Sequence, residues 1–193
     1  MIDKKFISAL RKNYLEKNSQ RRQIISSSNI VLNNSKKAIF ALHRQDFDLA
    51  ENNMKESENI IKKIEKSFGA DRVKEEGAYL ASLEEYTEAK LFLQFLKTGK
   101  ISKIKELNIP SEAYIGGLCD LSGELIRKAT NEAINKNFQE IKKIKEIIND
   151  ILNELIDFDV IGYMRTKYDQ ARGNLKKIEQ MDYEISLREN FKK

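Results

Sequence analysis

Pro110 is the only proline among 193 residues, and between the scattered glycines the apolar residues recur at intervals of three and four. Few chain breakers combined with a 3.6-residue period leave long amphipathic helices as the main building material. One proline and eight glycines are also too few for the frequent turns of an all-β architecture. Phe47, Ala50, Met54, Ile61, Ile64 and Phe68 form one stripe, interrupted only by Ser57, with Asp46 placed to cap the helix and Gly69 to end it. A following helix is expected from about Asp71, its cap, through Thr98, with Gly99 as the stop. Ile141, Ile144, Ile148, Ile151 and Leu155 make a third stripe; Met164, Tyr168, Ala171, Leu175, Ile178, Met181 and Ile185 make a fourth. The stretch from Asp3 to about His43 reads as one long helix, weakened at Ser26-Ser27-Ser28-Asn29. Pro110 opens the helix that carries Asp120, and a short helical turn is expected between Ser102 and Leu107. The fold class is therefore all-α: an antiparallel bundle of about six to seven helices, expected to form one domain over residues 1–193.

Composition removes several functional classes. There is no run of about 18 apolar residues to cross a bilayer, and Met1-Ile2-Asp3-Lys4-Lys5-Phe6 lacks the apolar stretch of a signal peptide. Cys119 is the only cysteine, so no internal disulfide framework or cysteine-rich zinc site can form. A soluble, cytoplasmic protein is expected. The net charge of +5 permits a polyanionic partner without requiring one. His43 is the only histidine, which excludes a paired-histidine ribonuclease mechanism.

Two acidic clusters stand out against this background, Glu84-Glu85-Tyr86-Thr87-Glu88 and Asp120-Leu121-Ser122-Gly123-Glu124. Residues three or four apart share a helix face, so Glu85 pairs with Glu88, and Asp120 with Glu124. Carboxylates converging on one gap repel unless a cation lies between them, and a hard divalent ion with oxygen ligands is the usual solution. The Glu85–Glu88 stripe continues into Phe92 and Phe95, an unusual neighbourhood for purely solvated acids. Gly116, Asp120, Gly123, Glu124 and Arg127 line one face of the later helix, while Tyr114, Leu118, Leu121, Leu125 and Ala129 form its core side. Glycine costs a helix about 1 kcal/mol relative to alanine, so two glycines beside two acids suggest close approach by a partner helix or a phosphate. Spacing alone favours the ordinary reading, since most glutamate clusters on helices are simply solvated.

These residues carry a resemblance. Glu85-Tyr86-Thr87-Glu88-Ala89 resembles the glutamate pair of translin-associated factor X, and the ten residues Gly116 to Leu125 resemble the glycine- and acid-bearing helix of that family. Tyr168-Asp169, Leu175 to Glu179 and Tyr183 to Arg188 resemble the translin C-terminal ending. The matches stand in the same order and span the chain from its third helix onward. The resemblance implies a translin-like fold and, because the acids are retained, the catalytic factor-X type: a Mg²⁺-dependent endoribonuclease acting on single-stranded RNA or small-RNA strands within an oligomeric shell. It implies Glu85, Glu88 and Asp120 as catalytic and metal-binding carboxylates, Glu124 as a further metal ligand, Mn²⁺ as a substitute ion, and a homo-octamer. Two other readings stay open: a non-catalytic translin-like shell that binds single-stranded RNA or DNA, and a helical scaffold whose acids are incidental.

Basic candidates for RNA contact are Arg21, Arg22, Arg127 and Arg172, together with Lys36, Lys37, Lys142, Lys143, Lys145, Lys176 and Lys177. Arg127 can also pair with Glu124 one turn away. His43 reads as a helix-capping or surface residue, Cys119 as packing, and Tyr79, Tyr86 and Tyr114 as core. Glu84 is expected to lie outside the metal site.

Overall fold

The computed structural model describes residues 2–190. Its helices are α1 (Lys4–His43), α2 (Phe47–Phe68), α3 (Ala70–Lys74), α4 (Gly77–Thr98), α5 (Ser111–Ile134), α6 (Phe138–Leu155) and α7 (Gly162–Asn190), with a single 3₁₀ turn at Ile156–Phe158. No strand occurs among the described residues, and no helix there is long and apolar enough to cross a membrane.

Local chemistry accounts for most of the boundaries. The Asp3 carboxylate accepts hydrogen bonds from the amides of Lys5 at 2.9 Å and Phe6 at 3.2 Å, while that of Asp46 accepts from Leu49 at 3.1 Å. Each satisfies amides that the first helical turn cannot. Gly99 closes α4 with a left-handed φ of 67°. Ser26 to Asn29 do not interrupt α1. Ser28 and Ser57 are fully buried, and such small side chains suit the packing of α1 on α2.

Two expected elements differ. The helix expected from Asp71 to Thr98 is broken at Glu75 and Glu76, because Glu76 turns to an extended conformation (φ −100°, ψ 116°). There its buried carboxylate meets Arg72 at 2.8 Å and Arg21 at 3.4 Å. Asp71 caps nothing. The turn expected at Ser102 to Leu107 is non-helical. Its amides are satisfied from flanking helices instead, Ser102 by the Gln94 side chain at 2.9 Å and Ile104 by the Tyr114 hydroxyl at 3.2 Å, and Ile104 anchors in the core.

α4 lies at the centre, packed between α1 and α5, with α2 outside α1 and with α6 and α7 beyond α5. Burial on both faces explains why its apolar residues run nearly continuously. Tyr79, Leu83, Tyr86, Leu91 and Phe92 are fully buried. The Tyr79 and Tyr86 hydroxyls donate to Glu65 and Glu58 of α2, each at 2.7 Å, which ties both rings into the core as expected. The α4–α5 seam carries both acidic clusters.

Candidate functional site

Close approach of α4 and α5 depends on Gly116 and Gly117. A Cβ on Gly117 would fall 2.6 Å from the Thr87 Cβ and 2.9 Å from the Glu84 carbonyl oxygen, while one on Gly116 would run into the Glu84 carboxylate. The partner approaching Gly116 is thus α4. Gly123 has only the Asn174 amide at 3.7 Å, ordinary contact, so it is not part of the close approach.

This seam brings together Glu85, Glu88, Asp120 and Glu124. Glu88 is buried, and burial followed by the charges of Asp120, Glu85 and Glu124 pushes its carboxyl up to about 9. Burial likewise raises Glu85, with Lys36 and Lys167 opposing and Asp120 and Glu124 reinforcing the shift. Burial raises Asp120; Lys167 opposes this and Glu84 adds to it. Glu85, Glu88 and Asp120 are thus raised by burial, and Glu88 feels the charges of the other three acids across the seam. Glu88, the most buried of the four, is not a solvated acid; Glu85, Asp120 and Glu124 are partly exposed. As the side chains stand, no three His, Cys, Asp or Glu residues among those described are arranged to hold a metal ion. Two of the four acids are engaged elsewhere, Asp120 by the Lys167 ammonium and Glu124 by His43 and Arg127.

A carboxyl held near 9 in the fold and near 4.5 in the unfolded chain keeps its proton longer in the native state. The native protein then binds more protons than the unfolded one between those values, so stability falls as pH rises through that window. In chelator-treated protein, thermal unfolding at about pH 5 and about pH 8 should show this loss, and Glu88→Gln should flatten it. An unchanged slope in the variant would contradict a buried, proton-retaining Glu88.

Two residues join the site against expectation. His43 is neither a cap nor a surface residue: its side chain is largely buried, tilted at 43° against Phe92 with 4.9 Å between ring centroids, and hydrogen-bonded to Glu124. Its place at the last turn of α1 gave no hint of this, because the partner lies 81 residues away. Glu84 is not one of the four acids but is linked to them. Its carboxylate accepts from Lys167 at 2.7 Å and from the Tyr163 hydroxyl at 2.9 Å, and so shares Lys167 with Asp120. Lys167 and Tyr163 belong to α7 and carry no sequence signal of a role in the site.

The basic candidates separate. Arg127 stands at the rim, 3.7 Å from Glu124 and 5.1 Å from the Phe40 ring centroid, and Lys36 faces Glu85 from α1. Arg172 pairs with Asp169 on its own helix at 3.5 Å, Arg21 pairs with Glu76, and exposed Arg22 lines a groove between α1 and α2. Of the four arginines, only Arg127 adjoins the carboxylates. Cys119 is buried as expected, its thiol pushed up to about 12 by burial and then by Asp120.

The Translin family model matches residues 19–189. The chain is 32% identical over 191 residues to the uncharacterized protein MJ0175 of Methanocaldococcus jannaschii, covering 94% of this chain and 85% of that one. It is 24% identical over 213 residues to the translin-associated protein X homolog of Schizosaccharomyces pombe, covering 100% and 91% respectively. Among solved structures, AfC3PO in complex with duplex RNA superposes with a TM-score of 0.83 at 20% identity, over 97% of this chain and 99% of that one. Apo-NeC3PO superposes with a TM-score of 0.81 at 22% identity, over 95% and 97%. Sequence and fold agree: this chain belongs to the translin family.

Proposed function

We propose that the chain is a metal-dependent endoribonuclease that cleaves single-stranded RNA, or strands of small RNAs, inside a shell of eight copies. The ion is Mg²⁺, with Mn²⁺ as a substitute, held by Glu85, Glu88, Asp120 and Glu124. The observation that carries this reading is the convergence of these four acids in a half-buried seam, where burial and mutual repulsion push Glu88 up to about 9. An all-oxygen donor set of this charge fits a hard divalent cation. The relative named as a translin-associated protein X homolog and the neighbour bound to duplex RNA support a nucleic-acid substrate.

When bound, a divalent ion would supply Lewis-acid polarisation of the phosphodiester and lower the pKa of a water so that it could lose a proton and act as the nucleophile. The chain's own residues do the positioning. Glu88, backed by buried Phe92, lies at the dry end of the site. His43, packed on Phe92, orients the Glu124 carboxylate, and Arg127 presents its guanidinium at the rim where a phosphate oxygen can reach it. The raised Glu88 and Glu85 carboxyls surrender their protons when a cation arrives, which ties occupancy of the site to proton release.

Incubating labelled single-stranded RNA with the protein, in Mg²⁺ and in chelator, tests the reading. Cleavage in Mg²⁺ and its loss in chelator are expected. Retention of intact RNA in both, with single-stranded DNA retained as well, would instead assign a non-catalytic binding shell. Retention should also fall steeply between low and moderate salt, with a log–log slope of about −3 or steeper for several phosphate contacts. Salt-independent affinity would contradict binding through phosphate contacts.

A further inference from the structure

Lys167 reaches the acidic seam from α7 and is shared by two carboxylates. Its ammonium donates to Asp120 Oδ2 and, at 2.7 Å, to Glu84 Oε1. These two partners are not equivalent. Asp120 belongs to the proposed metal set, whereas Glu84 stands aside from it and is held in place independently. The Tyr163 hydroxyl donates to the Glu84 carboxylate at 2.9 Å, and that carboxylate packs where a Cβ on Gly116 would lie. Lys167 itself sits 5.4 Å from the Tyr163 ring centroid, and its side chain is mostly buried.

An ammonium and a divalent cation on one carboxylate repel each other strongly in a site with so little water. Whatever draws Asp120 to a metal must therefore loosen its bond to Lys167. Release into solvent is not required, because Glu84 retains the ammonium. Resting on the metal-centre reading above, we propose that Lys167 is a resident counter-ion that yields Asp120 to the metal and, kept at the rim by Glu84 and Tyr163, contacts the substrate's phosphate. It holds the carboxylates together before the metal arrives and then supplies the positive charge facing the phosphate. One lysine thereby opposes metal binding and promotes cleavage.

That double role predicts opposite signs in two measurements on one variant. Lys167→Met keeps most of the buried apolar stem and removes the charge together with the donors to Asp120 and Glu84. Calorimetric titration of Mn²⁺ into RNA-free protein should show tighter binding in Lys167→Met, by about tenfold, because a cation competing for Asp120 is gone. Cleavage at saturating Mn²⁺ should nevertheless fall by about a hundredfold, the scale of losing one charge aimed at the transition state. Lys167→Arg restores the charge and should bring both quantities back toward wild type, and it remains informative if the methionine variant does not fold. Mn²⁺ affinity that is unchanged or weaker in Lys167→Met, wild-type cleavage in that variant, or a Lys167→Arg protein that behaves like Lys167→Met would each overturn the proposal. Should wild type itself neither bind Mn²⁺ nor cleave RNA, the metal-centre reading fails and this inference with it. A wild type that does both, beside variants lacking the opposed changes, rejects the lysine's role alone.

Discussion

Asp120→Ala and Glu88→Ala are each expected to abolish RNA cleavage while leaving a folded, RNA-binding protein. Either substitution removes one oxygen donor from a site where a fraction of an ångström decides whether water and phosphate are aligned, and losses of about a hundredfold or more are ordinary for such displacement. The fold should survive for a separate reason. Burial and three neighbouring acids keep Glu88 protonated in the metal-free fold, at a cost in stability that Glu88→Ala removes, and Asp120→Ala deletes one of the charges that impose it. Asp120→Ala carries one added consequence, since it leaves Lys167 with Glu84 as its carboxylate partner. Single-turnover cleavage and filter retention of the same RNA separate catalysis from binding. Wild-type cleavage by both variants would remove the carboxylates from the chemistry. Glu84→Ala, expected from sequence to be a neutral control, is a poor choice of one, because it removes a carboxylate that Lys167 shares with Asp120 and that the Tyr163 hydroxyl donates to. Glu146→Ala, on α6 away from the seam, serves that purpose instead.

The second large effect concerns the seam itself. Gly117→Ala forces a methyl group to within 2.6 Å of the Thr87 Cβ and 2.9 Å of a backbone carbonyl, neither of which can swing aside as a long side chain would. Overpacking of this kind costs about 1–3 kcal/mol, more than the roughly 1 kcal/mol that alanine returns in helix propensity. Gly123→Ala, one face away and with nothing closer than 3.7 Å, has no such penalty and should be neutral or stabilising by up to about 1 kcal/mol. Chemical denaturation of the pair checks this directly. Equal stabilities would mean that α4 and α5 are not locked by Gly117.

The bundle was largely legible in the sequence because its signals are local. Asp3, Asp46, Gly69 and Gly99 act within one turn of where they stand, and the stripes of α2 and α6 repeat every three or four residues. The break before Gly77 was not legible, since Glu76 leaves the helix for Arg21, 55 residues away in the chain. The loop at 102–107 escaped for a similar reason: Gln94 and Tyr114 satisfy its backbone in place of a helical ladder. The same division holds for the site. Glu85, Glu88, Asp120 and Glu124 each have a partner one turn away on the same helix, which made them visible in pairs. His43, Lys167 and Tyr163 gain their roles only when α1 and α7 fold against the seam. Gly116 and Gly123 looked alike in sequence, yet only the former is crowded, because Gly116 faces Glu84 of α4 whereas Gly123 faces Asn174 of α7.

Everything functional here depends on whether the four acids form one cation site. Crystals soaked in Mn²⁺ and measured near its absorption edge test this with least inference. The account predicts an anomalous peak at the α4–α5 seam, ligated by Glu88 and Asp120 with Glu85 or Glu124, and its absence in Glu88→Ala. A seam without a peak in the wild type, or a peak that persists in the variant, would contradict it.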